Sequence, residues 1–250
     1  MGRVISIHSF RGGTGKSNTT ANTAYALARQ GKRVAIVDTD IQSPGIHVIF
    51  GATNQIQHTL NDYLWGKAGM RDVALDVSAN VGLEAGSLHL VASSMNMGDI
   101  TRILKEGYDV GLLNRGLKEL QQELGLDYVM IDTHPGLNEE TLLSIAISDA
   151  LLLILRPDQQ DFQGTSVTVE VARRLRCQNL FLVVNKLPQK HDLEQVKAKV
   201  EDTYQAEVLA VLPLSEDIVE LGSSNLCLRV APENPWARGI EGIAARLLAL

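Results

Sequence analysis

Residues 4–17 of this chain read Val-Ile-Ser-Ile-His-Ser-Phe-Arg-Gly-Gly-Thr-Gly-Lys-Ser, and this stretch decides the fold. The apolar run Val4–Ile7 has the composition of a buried strand, and a helical pattern follows from Ser17 to Arg29. The loop between them is rich in glycine and ends in lysine and serine. A strand, a glycine-rich loop and a helix in this order are typical of a loop that binds the phosphates of a nucleotide.

The glycines of this loop depart from the general pattern, in which a glycine stands five residues before the glycine–lysine pair. Phe10 occupies that position, and a double glycine follows it to give the pattern GGxGK[ST]. The physical requirements are still met, because Gly12, Gly13 and Gly15 let the backbone curve around a phosphate with its N–H groups pointing inward.

Two side chains at the end of the loop complete the expected site. The helix that begins near Lys16 points the positive end of its dipole at the bound anion. Lys16 can reach the β- and γ-phosphates, and the hydroxyl of Ser17 can ligate Mg²⁺. The stretch Arg11–Ser17 therefore predicts a binding site for ATP with Mg²⁺.

Two further strand-like runs end in aspartate. Val34–Val37 is followed by Asp38 and Asp40, and Tyr128–Ile131 is followed by Asp132, the first residue of an Asp-Thr-His-Pro-Gly segment. In a doubly wound sheet, ligands bind beyond the carboxyl ends of the strands. We therefore expect Asp40 and Asp132 near the γ-phosphate and Mg²⁺. Asp38 is expected either to cap its turn or to help hold the metal through a water.

Apolar runs alternate with helical patterns along the chain, which predicts an α/β protein with a doubly wound, mostly parallel sheet and helices on both faces. No repeat, low-complexity tract or linker divides the sequence, so we expect one domain over residues 1–250. The least regular segment, Gly51–Asn80, contains one predicted short helix at Thr59–Leu64. The predicted strands are Val4–Ile7, Val34–Val37, Leu88–Val91, Tyr128–Ile131, Ala150–Leu155, Leu180–Val184 and Val208–Leu212.

Composition limits the classes of protein to consider. The 250 residues are 45% hydrophobic but only 4% aromatic, which predicts a globular protein with a mostly aliphatic core. The net charge of −6 argues against a chain that coats nucleic acid with basic residues. Cys177 and Cys227 have no metal-binding or disulfide spacing, and no apolar run is long enough to span a membrane. The cytoplasm is the expected location.

Five segments, in order along nearly the whole chain, resemble the ParA/MinD family of positioning ATPases. Arg11–Ser17 is similar to the deviant Walker A loop of that family, and Asp38–Asp40 is similar to its Walker A′ segment. Asp132–Gly136 resembles its Walker B and switch II segment. Asn185 resembles the family's adenine-contacting asparagine, and Leu212–Glu216 resembles the loop that closes over the base.

The resemblance implies an ATPase cycle. ATP would hold two subunits face to face, the homodimer would bind a large surface, and an activating partner protein would stimulate hydrolysis and release. Lys16 would bind phosphate, and Asp40 would orient the attacking water. Taken together, the residues and the resemblance predict Lys16, Asp40, Asp132 and Arg11 as catalytic residues, and Ser17, Asp132 and Asp38 as Mg²⁺ residues. The predicted nucleotide-binding residues are Gly12, Gly13, Thr14, Gly15, Lys16, Ser17, Asn18, Asn185 and Pro213.

Arg11 departs from the family, which usually has a signature lysine there that reaches the phosphate of the partner subunit. An arginine keeps the charge, but its planar fork does not replace a lysine ammonium neutrally. Arg11 could act as an arginine finger, or Arg156 at the end of a predicted strand could substitute for the lysine. A carboxysome-positioning branch of the family also lacks this lysine, which keeps a cellular cargo among the alternatives.

The surface on which a dimer would act is left open. Arg173, Arg174 and Arg176 could contact DNA phosphates without sequence preference, or could complement the dipole at the end of a helix. The apolar helical face within Ile240–Leu248 could target a membrane, but its flanking charges have both signs, which favours a helix packed on the core.

These observations predict an ATP-driven switch that positions DNA or a cellular cargo, as in plasmid or chromosome partition or carboxysome-type distribution. One alternative is a membrane-surface regulator of division-site placement. Another is a P-loop synthetase or kinase that acts on a small molecule. The six histidines, His134 included, have no metal-ligand spacing and are interpreted as loop or core residues. The two cysteines lack the spacing of relatives that carry iron–sulfur clusters.

Overall fold

The computed structural model describes residues 2–250, and the strands in this part of the chain form one eight-stranded sheet. The strands are β1 (Arg3–His8), β2 (Arg33–Asp38), β3 (Ala74–Asp76), β4 (Ser87–Val91), β5 (Tyr128–Asp132), β6 (Ala150–Leu155), β7 (Leu180–Leu187) and β8 (Glu207–Pro213). Their order across the sheet is β3-β4-β2-β5-β1-β6-β7-β8. All neighbouring pairs are parallel except β3 and β4.

Helices cover both faces of the sheet, which confirms the predicted doubly wound α/β fold. The helices are α1 (Lys16–Arg29), α2 (Ile46–Ile49), α3 (Leu60–Leu64), α4 (Met97–Glu106), α5 (Val110–Glu123), α6 (Glu139–Ile147), α7 (Gln159–Arg174), α8 (Leu193–Tyr204), α9 (Glu216–Leu221), α10 (Cys227–Val230) and α11 (Pro235–Leu248). In residues 2–250, no helix is both long enough and apolar enough to cross a bilayer.

The core has one layer of aliphatic side chains on each face of the sheet. Alternate residues of β1 point to opposite faces, so Ile5 and Ile7 pack in the layer under α1 and α11, while Val4 packs in the other layer. The second layer is covered by α5 toward β2 and by α7 and α8 toward β7. Continuous burial on both faces explains why the central strands are nearly unbroken runs of Val, Ile and Leu.

All seven predicted strands are present, and the predicted short helix is α3. Thr59 caps that helix in a capping box with Asp62, whose carboxylate accepts hydrogen bonds from both the backbone N–H and the hydroxyl of Thr59. The sequence reading missed β3, which is three residues long with one buried position. A strand this short has too little alternation to be detected, and it forms because β4 offers an edge for antiparallel pairing.

Helix α11 is a core helix, as predicted. Ile240, Ile243, Ala244 and Leu247 are fully buried, and the helix packs against α1 and β8. Asn234 caps its first turn through a hydrogen bond from the backbone N–H of Trp236.

Candidate functional site

The glycine-rich loop joins β1 to α1 at the carboxyl end of the sheet, and two residues of β7 hold it in place. The amide Nδ2 of Asn185 donates to the carbonyl of Thr14 at 2.8 Å, and Nζ of Lys186 donates to the carbonyl of Gly13 at 2.7 Å. Gly15 has φ +92°, and a Cβ there would collide with the amide of Asn185. Glycine is therefore required at residue 15 by both its backbone conformation and its neighbour.

Lys16 and Ser17, the first residues of α1, both contact Asp132 at the end of β5. Lys16 Nζ lies 2.9 Å from Asp132 Oδ1, and the Ser17 hydroxyl donates to Asp132 Oδ2 at 2.6 Å. Thr20, one turn further along α1, donates its hydroxyl to Asp132 Oδ1 at 2.9 Å. Three donors thus converge on one carboxylate that is 1% exposed. The sequence reading missed Thr20, although its i+4 spacing from Lys16 could have indicated it.

Asp38 lies directly beside Asp132, because the register of β2 and β5 pairs the two residues. The Oδ2 atom of Asp38 is buried without a hydrogen-bond partner. Burial, and then the neighbouring charge of Asp132, raises the pKa of Asp38 to about 8. Two buried carboxylates side by side, one with a free oxygen, fit a hard divalent cation that prefers oxygen ligands.

The residues predicted to hold Mg²⁺ are therefore brought together. Ser17 and Asp132 would hold the metal, with Asp38 beside them. No group of three or more His, Cys, Asp or Glu side chains within residues 2–250 has metal-binding geometry. Mg²⁺ is usually bound by one or two carboxylates together with waters and substrate phosphates, and the pair Asp132 and Asp38 beside Ser17 is a set of that kind.

Asp40 faces the same cluster from the end of β2. Its Oδ2 atom lies 4.0 Å from Lys16 Nζ, and its Oδ1 atom lies 2.7 Å from Nδ1 of His134. The backbone N–H of Asp40 donates to Asp38 Oδ1 at 3.0 Å. The interpretation of His134 as a loop or core residue missed this contact, which its place two residues after Asp132 could have indicated.

A second histidine, His8, lies behind the site at the end of β1 and is fully buried. Its Nδ1 atom is 2.7 Å from the hydroxyl of Thr133, and its Nε2 atom is buried without a partner. Burial, followed by the nearby charges of Lys16 and His134, lowers the pKa of His8 to about 3. His8 is therefore neutral in the folded protein at physiological pH.

Arg11 and Arg156 share the carboxylates at the start of α7. Arg11 lies 3.5 Å from Asp158 and 3.5 Å from Asp161. Arg156 contacts the same pair, with its Nε atom 3.0 Å from Asp161 and a terminal nitrogen 3.1 Å from Asp158. Both candidate replacements for the signature lysine are thus held in ion pairs within the chain itself. Phe10 packs against Gly164 of α7, where a Cβ would overlap its ring.

Two adjoining cavities extend from the loop. A cleft of about 420 Å³ is lined by the glycine-rich loop together with Asp40, and a cavity of about 270 Å³ contains Asn185 and Pro213. Both are lined by Gly15, Asn18, Gly222 and Ser223. Trp236 lines the second cavity, and its Nε1 donates to Asn185 Oδ1 at 3.0 Å. The predicted nucleotide-binding residues therefore share one continuous groove.

This arrangement of strand, glycine-rich loop and helix, with lysine, serine and aspartates at neighbouring strand ends, defines a P-loop nucleoside triphosphatase. A model of the AAA domain family matches residues 2–211. The chain belongs to that family, and within it to the ParA/MinD group of P-loop ATPases, with ATP and Mg²⁺ as its cofactors.

Relatives match over almost the whole chain. An uncharacterised ATP-binding protein of Methanocaldococcus jannaschii is 27% identical over 249 residues, covering 99% of this chain and 88% of the relative. The septum site-determining protein MinD of Thermotoga maritima is 23% identical over 255 residues, with the same coverage of both chains. The fold is similar to that of the septum site-determining protein MinD of Pyrococcus horikoshii complexed with Mg-ADP, with a TM-score of 0.83, 21% identity, and coverage of 100% of this chain and 98% of that chain.

Proposed function

We propose that this chain is an ATP-driven switch that forms a homodimer on binding Mg-ATP, positions DNA or a cellular cargo, and is reset by hydrolysis. The observation that carries this proposal is that Lys16 and Ser17, which line the cleft with Asp40, both contact Asp132. Asp38 is paired with Asp132 beside them, at the carboxyl ends of β2 and β5. The Thermotoga maritima relative is a septum site-determining protein, and this similarity supports a positioning role.

Each group in the cleft has a role that its contacts support. Lys16 binds the β- and γ-phosphates and stabilises the charge that develops on them. Ser17 and Asp132 would hold Mg²⁺, with Asp38 beside them, and the bound ion would neutralise phosphate charge. Asp40 accepts a hydrogen bond from the attacking water through Oδ2, the oxygen that faces Lys16.

The base binds in the cavity beside Asn185 and Pro213. Asn185 is held on both sides, since it donates to the loop and accepts from Trp236. Asn185 therefore connects the cavity for the base to the phosphate loop, so binding of the base affects the conformation of the loop. Arg11 supplies positive charge at the edge of the loop, where Asp158 and Asp161 hold it before a second subunit arrives.

Two arginines of the basic cluster proposed for DNA, Arg173 and Arg174, have partners within the chain. Arg173 donates to the backbone carbonyls of Tyr204 and Gln205 at the end of α8, and Arg174 pairs with Glu170 at 2.8 Å. These contacts support the helix-end role for Arg173. DNA binding remains part of the proposal, and it is the part that the first experiment tests.

The experiment measures binding of the Asp40→Ala protein to non-specific duplex DNA, with ATP and with ADP, at two salt concentrations. Asp40→Ala should bind ATP and stay dimeric, because the aspartate acts on water rather than on phosphate. ATP-dependent binding that weakens with salt supports a switch that uses DNA as its track. If the protein forms a dimer with ATP but does not bind DNA, the surface on which the switch acts is a membrane or another protein instead.

Lys16→Ala is the matched control, since it removes the charge that binds the ground-state phosphates and should abolish ATP binding. The synthetase or kinase alternative is tested by the ATPase rate of the wild-type chain alone. Slow hydrolysis with no added small molecule counts against that alternative. Unchanged hydrolysis by Asp40→Ala removes Asp40 from the mechanism.

A further inference from the structure

The two oxygens of the Asp40 carboxylate have different surroundings. Oδ1 is 2.7 Å from Nδ1 of His134 and accepts a second hydrogen bond from the backbone N–H of Ser43 at 3.2 Å. Oδ2 lies 4.0 Å from Lys16 Nζ, which is beyond hydrogen-bond distance. His134 therefore occupies one oxygen of the carboxylate and leaves the other facing the phosphate-binding lysine.

We propose that His134 is a positioning residue for ATP hydrolysis, which fixes the rotation of the Asp40 carboxylate so that Oδ2 is presented to the attacking water. This inference rests on the role proposed above for Asp40. A carboxylate oxygen only accepts hydrogen bonds, so Nδ1 of His134 is the donor and carries the proton. The 2.7 Å separation is that of a charge-assisted hydrogen bond, which is roughly twice as strong as a neutral one.

The backbone that carries His134 is itself held on both sides. The N–H of Thr133 donates to the carbonyl of Ile7 at 3.2 Å, and the N–H of Gly136 donates to the carbonyl of Ser9 at 3.1 Å. Both acceptors belong to the end of β1 and the start of the phosphate loop. His134 is thus fixed to the same framework that positions Lys16, which couples the direction of Asp40 to the phosphate site.

The contact is a directed hydrogen bond rather than general packing, because Nδ1 of His134 lies within hydrogen-bond distance of Oδ1 of Asp40. The side chain of His134 is 21% exposed and that of Asp40 is 13% exposed. Both are accessible enough to turn away in the absence of the hydrogen bond. Without His134, Oδ1 of Asp40 would keep only the longer hydrogen bond from Ser43. A less restrained Asp40 would still tolerate bound ATP, but it would orient the water for only part of the time.

The test uses three substitutions of His134: two place an amide N–H donor at different positions, and the third removes the donor. The amide nitrogen of asparagine lies near the position of histidine Nδ1, whereas that of glutamine lies near the position of Nε2. His134→Asn should retain the bond to Asp40, and His134→Gln and His134→Ala should lose it. Thermal unfolding of each variant reports whether the fold is kept.

Steady-state ATPase kinetics and ATP binding are then measured for each protein. We expect kcat of His134→Gln and His134→Ala to fall by about 10- to 100-fold, as for removal of other groups that orient a reacting residue. We expect KM and the Kd for ATP to change by less than about threefold, since the phosphate contacts remain. His134→Asn should restore kcat to within about fivefold of wild type.

A double-mutant cycle identifies the residue through which His134 acts. In the Asp40→Ala background, measured in single turnovers, His134→Gln should cause no further loss of rate. The inference is overturned if His134→Gln keeps the wild-type kcat, if asparagine is no better than alanine, or if the losses add. Wild-type hydrolysis by Asp40→Ala would instead refute the proposed role of Asp40, and the inference with it.

Discussion

Protonation of His8 should make the stability of the nucleotide-free protein fall in mild acid. The ring is fully buried at the end of β1, and its pKa is lowered from 6.5 to about 3, mainly by burial. A group whose pKa is depressed by folding stabilises the native state above its unfolded pKa. That contribution is lost progressively as the pH falls below 6.5, because the unfolded chain then binds a proton that the folded chain does not.

The size of the effect follows from the pKa difference. Between pH 7 and pH 5 the unfolded chain gains most of one proton at His8, which corresponds to about 2 kcal/mol of lost stability. Asp38 acts in the opposite direction, since its raised pKa makes the folded protein more stable as the pH falls from about 8. The pH dependence of the free energy of unfolding of the wild type therefore combines two opposing contributions. The contribution of His8 is obtained from the difference between the wild type and a variant that lacks His8.

The assay is urea unfolding of the wild type and of His8→Asn at pH 5, 6 and 7. Asparagine does not titrate in this range, and its amide can keep the hydrogen bond to Thr133. The difference in the free energy of unfolding between the two proteins should change by about 2 kcal/mol from pH 7 to pH 5. His191→Asn is the control, since it makes the same substitution at an exposed position. Parallel profiles for the wild type and His8→Asn would refute the reasoning, as would an NMR titration of the His8 ring near pH 6.5.

Two further substitutions test the loop and the metal site. Gly15→Ala should destabilise the protein by about 1–3 kcal/mol and weaken ATP binding, because the residue has positive φ and its Cβ would collide with Asn185. Gly242→Ala is its control: it lies in α11 with open space around its Cβ and should be neutral or stabilising by up to about 1 kcal/mol in chemical unfolding. Asp38→Asn should stabilise the nucleotide-free protein at pH 8 by about 1–3 kcal/mol, because it removes a charge that is costly to bury and that is repelled by Asp132. The same variant should gain less thermal stability from Mg²⁺ with ATP, and an equal gain would exclude Asp38 from the metal site.

The sequence alone determined the class of fold and the phosphate loop. Strands buried on both faces need continuous aliphatic runs, so seven strands could be recognised from composition and alternation with helices. The loop could be recognised because its requirements are local. A backbone that curves around an anion needs glycines at adjacent positions, and the lysine and serine must follow immediately at the start of a helix.

Some features could not be read from the sequence, because they depend on which distant segments become neighbours. The placement of β5 between β1 and β2 brings Asp132 to Lys16 across 116 positions of sequence. The same arrangement pairs His134 with Asp40. The sequence placed Asp40 and Asp132 at one edge of the sheet, but the atoms that pair there depend on the register of parallel strands, which is set by packing of the whole sheet.

The tertiary structure also decided which charged side chains form ion pairs within the chain. Arg11 stands where the ParA/MinD family usually has its signature lysine, and it lies against Asp158 and Asp161 near the start of α7. Gly15 was identified as part of the loop, but the reason that it must be glycine includes Asn185, which arrives from β7. Residue types and spacing determined the chemistry that is available. Long-range packing determined which of those groups meet, because a side chain's partner is set by the segments that the sheet brings beside it.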